Sequence, residues 1–343
     1  MKKIVGILAA AAVAASAFAV DFSAGMQLKG KLFNYDGASK KVDAMQLWNE
    51  NGKDDKPFIF SLSSDRVGAT LKLWDEEFWE LPVGPNSWDD TFPAQAAGAW
   101  NIWFKPFDNV KVELGALDTK LNCEQITWWK GKVLGGANWG YKAYYEADGL
   151  TIAAALGTGR ADKAAWLSKA DGGDLTLGET DVYVAYAADF GKISALFVAK
   201  DTFKDIAIGA GFSGSADSIG YFFDAAFHKG DKNSVLFDAD VKYNQDALSA
   251  EVYAQAELKD LSNVDKDNMA VIAMAKVAYA VDGGSVYFKF RDDNLLADPA
   301  DIEFIEVGFD GNLGAMSYEV AAQVQLKNEK INFGIPFYAR IGF

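Results

Sequence analysis

The constraint that most limits this fold is an alternation of period two, repeated in stretches long enough to cross a bilayer. The terminal segment INFGIPFYARIGF (331–343) places Ile331, Phe333, Ile335, Phe337, Ala339, Ile341 and Phe343 on one parity. Asn332, Gly334, Pro336, Tyr338, Arg340 and Gly342 occupy the other. Successive side chains of a strand point to opposite faces, so such a segment is a strand with one greasy side and one wet side. The same pattern runs through ALSAEVYAQAEL (247–258), SVLFDADVKY (234–243), SVYFKFRD (285–292) and MSYEVAAQVQL (316–326). A tilted strand needs roughly 9–11 residues to span hydrocarbon.

Turn chemistry separates alternate pairs of these stretches: PFDN (106–109), EADG (146–149), DFGK (189–192), NQDA (244–247), VDGG (281–284) and DGNLG (310–314). Gly, Asn and Asp supply the positive φ that short hairpins demand. The intervening connections are mostly longer, as at 36–55, 75–95, 119–136 and 158–177. Alternating strand direction gives about 18 strands. They lie at 21–34, 57–63, 66–74, 96–106, 110–118, 138–146, 150–157, 179–188, 192–200, 204–213, 218–228, 234–243, 247–258, 269–281, 284–291, 302–310, 315–326 and 331–343. Merging the hairpin at 57–74, with one further merger, gives the alternative of 16. There is no linker and no second domain; the repeat is the hairpin itself.

The predicted fold class is therefore all-β, and the remaining question is which face meets water. A soluble sandwich or small barrel would turn its apolar face inward. A barrel of 16–18 strands is too wide for side chains to fill, so its inner face is wet and its apolar face must meet lipid. Lipid also demands closure, because an open edge would leave peptide groups unpaired in hydrocarbon. The expectation is a closed, antiparallel, up-and-down transmembrane β-barrel over residues 20–343. Residues 1–19, MKKIVGILAAAAVAASAFA, have the basic start, apolar middle and small-residue cleavage site of a signal peptide.

Without Lys2 and Lys3, 31 basic residues face 48 acidic ones, a net charge of 31 − 48 = −17. Such a chain is no partner for nucleic acid, whose phosphates need clustered Lys and Arg. One cysteine, Cys123, excludes an intrachain disulfide, and with the single His228 it leaves little material for a zinc site. No metal and no cofactor are expected.

The polar parity supplies the candidate pore-lining residues: Asp224, Asp238, Asp240, Lys242, Glu251, Glu257, Lys289, Arg291, Glu306, Glu319 and Arg340. Carboxylates outnumber cations here, and acidic rings favour cations. Two segments concentrate aromatic and acidic side chains: Trp74, Asp75, Glu76, Glu77, Trp79, Trp88, Asp89 and Asp90, then Trp128 and Trp129. Folded into a pore, they could stack on sugar rings and bind hydroxyls; as a membrane-interface girdle they would do neither. An enzyme would need a nucleophile beside His228, which shares strand parity with Asp224, and no G-x-S-x-G exists. An adhesin or structural barrel without an open channel is the reading from another class. DKDNMA (265–270) starts like a calcium loop but has Ala270 at the turn-glycine position and Lys276 at the closing glutamate, and GTGR (157–160) lacks the Lys-Ser/Thr of a phosphate loop.

The signal-like start, the hairpins throughout and the final strand FYARIGF ending on Phe343 resemble a Gram-negative-type outer-membrane porin. SSDRVGATLKL (63–73) and WFKPFDNVKVELG (103–115) resemble early hairpins of such porins, spirochaetal ones included. The resemblance implies a cell-outer-membrane location and partnership with outer-membrane lipids. It further implies small hydrophilic solutes or cations as cargo, and Phe343 as the signal read by the barrel-assembly machinery. Association as a homotrimer stays open.

Overall fold

A computed structural model describes residues 21–47, 58–73, 99–117, 139–158, 165–169, 173–296, 302–327 and 329–342. Its strands are β1 (Asp21–Asp36), β2 (Lys41–Leu47), β3 (Phe58–Ser63), β4 (Val67–Leu73), β5 (Ala99–Phe107), β6 (Val110–Ala116), β7 (Trp139–Ala147), β8 (Leu150–Gly157), β9 (Leu167–Lys169), β10 (Leu175–Leu177), β11 (Thr180–Ala188), β12 (Gly191–Lys200), β13 (Asp205–Ala216), β14 (Ile219–Lys229), β15 (Ser234–Gln245), β16 (Leu248–Leu258), β17 (Met269–Val281), β18 (Gly284–Asp292), β19 (Ile302–Leu313), β20 (Met316–Lys327) and β21 (Lys330–Gly342). All but β9 and β10 belong to one antiparallel sheet.

That sheet closes on itself. β1 pairs with β21 from Gly25 opposite Gly342 to Tyr35 opposite Phe333. Its other edge pairs with β3 in its first half, Asp21 opposite Ser63, and with β2 in its second half, Gly30 opposite Leu47. β2 and β3 thus share one position in the wall, and the 19 strands of the sheet make an 18-strand barrel. The terminal strand supplies one side of the closing seam, which is why it has to be a full strand rather than a frayed edge.

Tight turns gather at the rim where β1 begins and β21 ends. Asp148 (φ 51°), Asp217 (φ 52°) and Asp246 (φ 52°) take the left-handed conformation there, as Gly149 (φ 79°) and Gly283 (φ 83°) do. The opposite rim differs from expectation in two places. Residues 36–55 are not one long loop, because Asp36 accepts bonds from Ala38 N (2.8 Å), Ser39 N (3.4 Å) and Ser39 Oγ (2.8 Å), and the tight turn it makes returns the chain into β2. The 158–177 connection holds the β9–β10 hairpin, which is anchored by Trp166 Nε1 donating to Thr180 Oγ1 (3.0 Å) and Leu177 N donating to Thr202 Oγ1 (3.1 Å). Thr202 lies in a left-handed turn of three non-glycine residues, Asp201–Phe203 (φ 47°, 58° and 64°).

Directly opposite residues in an antiparallel pair share a face, so register carries parity around the wall. Lys242, Glu251, Lys276, Lys289, Glu306 and Gln323 are successive direct partners across six strands, all on the inner face. The outer face exposes Ile193, Ile208, Phe237, Val252 and Val307. Near the tight-turn rim it carries Tyr145, Tyr186 and Tyr279, all exposed. With the packed rings of Phe212, Tyr221 and Phe223 they form part of an interfacial aromatic girdle. The inner face is not wet throughout. Ala153, Ala185, Leu196, Val198, Ala207 and Leu236 form a buried apolar patch on the inner side of β8 and β11–β15. β12 reads ISALFVA over 193–199, so both of its parities are apolar and alternation alone does not mark its inner side.

Candidate functional site

Among the described residues the inner wall carries four polar groupings. On β14 and β15, Asp224 stands directly opposite Asp238, with Asp240 two residues further along. All three are buried in the wall, at 4%, 5% and 3% exposure, rather than immersed in an aqueous lumen. A Cβ on Gly211 would sit 1.9 Å from Asp224 Oδ1 and 3.0 Å from Ser194 Oγ, so the bare glycine makes the space the carboxylate occupies. The Tyr253 hydroxyl donates to Gln255 Oε1 (2.9 Å) and lies 3.4 Å from Asp238 Oδ2. Among the described residues, Asp238 Oδ1, Asp240 Oδ1 and Ser194 Oγ have no hydrogen-bond partner.

From β15 to β20 the wall becomes a ladder of ion pairs. Lys242 Nζ lies 3.3 Å from Asp240 Oδ2 and 3.2 Å from Glu251 Oε1. Lys276 reaches Asp310 (3.6 Å), and Lys289 reaches Glu306 (3.5 Å), which also accepts from Gln323 Nε2 (2.9 Å). Arg291 makes a bidentate pair with Asp293 at 2.7 and 3.0 Å. Lys289 Nζ and the Arg291 guanidinium both lie over the Phe304 ring, at 4.9 and 5.4 Å. The Tyr287 hydroxyl donates to Glu319 Oε1 at 2.6 Å, and Lys276 Nζ sits 4.8 Å above the Tyr287 ring. Glu257 and Arg340 share the inner parity, opposite Leu236 and Ser317. Sequence reasoning omitted Lys276, Asp293, Tyr287, Phe304 and Asp310, because partnership across strands depends on register.

On β5–β7 the inner face presents a cation–aromatic network. Lys111 Nζ bonds Glu113 Oε1 at 2.6 Å and lies 5.1 Å from the centre of the Trp103 ring and 5.8 Å from that of Tyr144. Lys142, with its side chain 1% exposed, lies 3.8 Å from Glu113 Oε2 and 4.4 Å over Tyr144. Trp103 is directly opposite Glu113, and Glu113 opposite Lys142, so these contacts follow from the ladder.

At the long-loop mouth, Glu179 pairs with Lys200 (3.3 Å), and His228 Nε2 meets Asp205 Oδ1 at 2.6 Å. Burial pushes the Glu179 carboxyl up to about 7, with the like charge of Asp181 adding to the shift and Lys200 opposing it. The partner of His228 is thus Asp205, not Asp224. Ser234 is directly opposite His228, and no hydrogen bond joins the two. Asp265 accepts from Asn268 N and Nδ2, both at 3.0 Å, and caps a short 3-10 turn instead of opening a calcium loop. Among the described residues no group of three or more His, Cys, Asp or Glu is placed to hold a metal ion. Trp74, Asp75, Glu76, Glu77, Trp79, Trp88, Asp89, Asp90, Trp128, Trp129 and Phe343 lie outside the described residues, as does the 1–19 segment.

No protein-family model matches the chain, and no curated protein matches it in sequence. Solved structures do. Pseudomonas aeruginosa OpdO superposes with a TM-score of 0.55 at 11% identity, covering 94% of this chain and 97% of that one. A BenF-like porin from Pseudomonas fluorescens Pf-5 gives 0.54 at 12% identity, covering 94% and 98%. The Pseudomonas aeruginosa outer membrane protein OpdK gives 0.54 at 11%, also covering 94% and 98%. At such identities the likeness is one of fold, and in fold this chain is a closed 18-strand β-barrel of the outer-membrane porin type.

Proposed function

We propose that this protein is an outer-membrane porin, a passive diffusion channel for small hydrophilic solutes with a mild preference for cations. The observation that carries the reading is the closed 18-strand wall with apolar side chains outside and ion-paired charges inside. A wall of this kind is stable in hydrocarbon and encloses a space its own side chains cannot fill. The acidic excess of the chain is the basis for the cation preference, and the pairing of most inner charges is the reason it is mild. Transport needs no covalent step: charge and width filter what diffuses. Residues 1–19 direct export, and the terminal strand ending on Phe343 presents the barrel to the assembly machinery before it meets outer-membrane lipid.

The test is single-channel recording of the refolded mature protein in a planar bilayer with a salt gradient. Stable conductance steps with a cation-biased reversal potential are expected. A barrel that inserts and resists proteolysis but never conducts would overturn the channel reading in favour of an adhesin or structural barrel.

A further inference from the structure

The inner end of the β5–β7 network opens into a pocket of about 340 Å³ at the tight-turn mouth, lined by Trp103, Lys105, Asp108, Asn109, Lys111, Tyr144 and Glu146. That volume lies at the lower end of the range for small-molecule sites. Its chemistry is specific in three respects. First, two aromatic rings, from adjacent-but-one strands, face the same space and are held by contacts beneath them. Trp103 lies against Gly68, where a Cβ would come within 2.4–2.8 Å of the indole, so the ring rests on bare backbone. Tyr144 is braced by Lys142 and by its hydroxyl donating to Glu113 Oε2 (3.5 Å). Second, the charges are paired: Lys111 bonds Glu113 and Asp108 bonds Arg66, each at 2.6 Å, which among the lining residues leaves one amine, Lys105, and one carboxylate, Glu146. A site with no net charge has no electrostatic reason to prefer an ion. Third, the polar groups are mixed donors and acceptors, with the Asn109 amide among them.

The Lys111 ammonium lies 5.1 Å from the centre of the Trp103 ring, so a stacked ligand enters by swinging that amine aside. The flat face it then meets, beside mixed donors and acceptors, suits a ring that is apolar on one face and hydroxylated at its edge. We infer that this pocket is a binding site for a neutral saccharide at the exit of the channel, one sugar ring stacking on Trp103 with its hydroxyls bonded by Lys105, Asn109 and Glu146. The inference deepens the channel reading and rests on it, but it uses none of the tryptophan-rich loops.

Isothermal titration of the refolded barrel in detergent, with glucose, maltose and maltotriose, measures binding without requiring conduction. Millimolar saturable binding is expected. Trp103→Ala should weaken it about tenfold, while Trp103→Phe, which keeps a stacking face, should stay within about threefold of wild type. Gly68→Ala, which lifts the indole without removing it, should weaken binding severalfold; barrel integrity is checked for each variant by heat-modifiable gel mobility. In bilayers, maltotriose should interrupt current more strongly from the tight-turn side than from the long-loop side. A barrel that conducts but binds no sugar, or binds it equally well as Trp103→Ala, overturns the inference and leaves the channel standing. Stronger binding of a charged ring, such as glucuronate or glucosamine, overturns it too. Sugar binding that depends on Trp103 in a barrel that never conducts overturns the channel reading instead.

Discussion

An arginine placed on the outer face at Val252 should destabilise the barrel in lipid far more than one placed at Leu248 on the same strand. Val252 is 59% exposed and Leu248 41%, and both point outward from β16. Leu248 stands directly opposite Tyr279, a girdle residue, which puts it at the interface. Val252 lies four residues further in. At about 3.4 Å per residue and a strand tilt near 40°, that is about 10 Å of depth. The apolar band of such barrels is about 25 Å tall, so Val252 sits close to its midplane. Arginine there costs about 2–4 kcal/mol, against about 0–1 kcal/mol near the interface. In water, the exposed aliphatic side chain at either position could be replaced for less than about 0.5 kcal/mol. Guanidinium titration of folding into phosphatidylcholine vesicles, extrapolated linearly, gives the two values. Equal losses for Val252→Arg and Leu248→Arg, or no loss for either, would refute the placement of this face in hydrocarbon.

Two further outcomes follow from the inner wall. Glu179, raised to about 7 by burial, is largely neutral below that pH and ionised above it. The folded state favours its protonated form, so its contribution to stability is present at acid pH and is lost as pH rises through about 7. Cation preference should therefore increase between about pH 6 and 8, and Glu179→Gln should flatten that rise in reversal-potential measurements. Gly211→Ala drives a methyl into the space of Asp224 Oδ1 and should destabilise by about 1–3 kcal/mol in the same vesicle titration. Gly220→Ala, on the next strand with nothing within 4 Å of its new Cβ, should stay within about 0.5 kcal/mol.

The strands were legible because lipid and water sort side chains by parity, and the parity of 234–258 or 331–343 survives any error of a residue or two at the ends. β2 was not: its run KVDAMQL alternates weakly, and its existence depends on the turn that Asp36 makes with Ala38 and Ser39. The candidate pore residues on β14–β21 share the inner face, because register and parity are the same information. What alternation cannot convey is depth and partnership. Asp224, Asp238 and Asp240 look like free lumen charges in sequence and are buried in the structure. Trp103 and Tyr144 line one pocket because Gly68 leaves room for the indole and β6 sets the spacing between them.

The ladder also determines how selectivity should respond to mutation and salt. An ion pair at 3.2–3.6 Å looks nearly neutral to a solute more than a few ångströms away, so only unpaired charge biases the pore. Lys276 is the informative residue to remove, because its partner Asp310 is 37% exposed and keeps its access to water when left alone. Lys289 would be a poor choice, since Glu306 is 6% exposed and would be stranded in the wall. Lys276→Met thus adds one effective negative charge to the inner face without a buried orphan. The reversal potential should shift toward cations at 0.1 M salt, where the screening length is about 10 Å, comparable with the distance from wall to axis. At 1 M that length is about 3 Å, and the shift should largely vanish. A shift that is equal at both salt concentrations, or that favours anions, would mean that the β15–β20 face does not border the path the ions take.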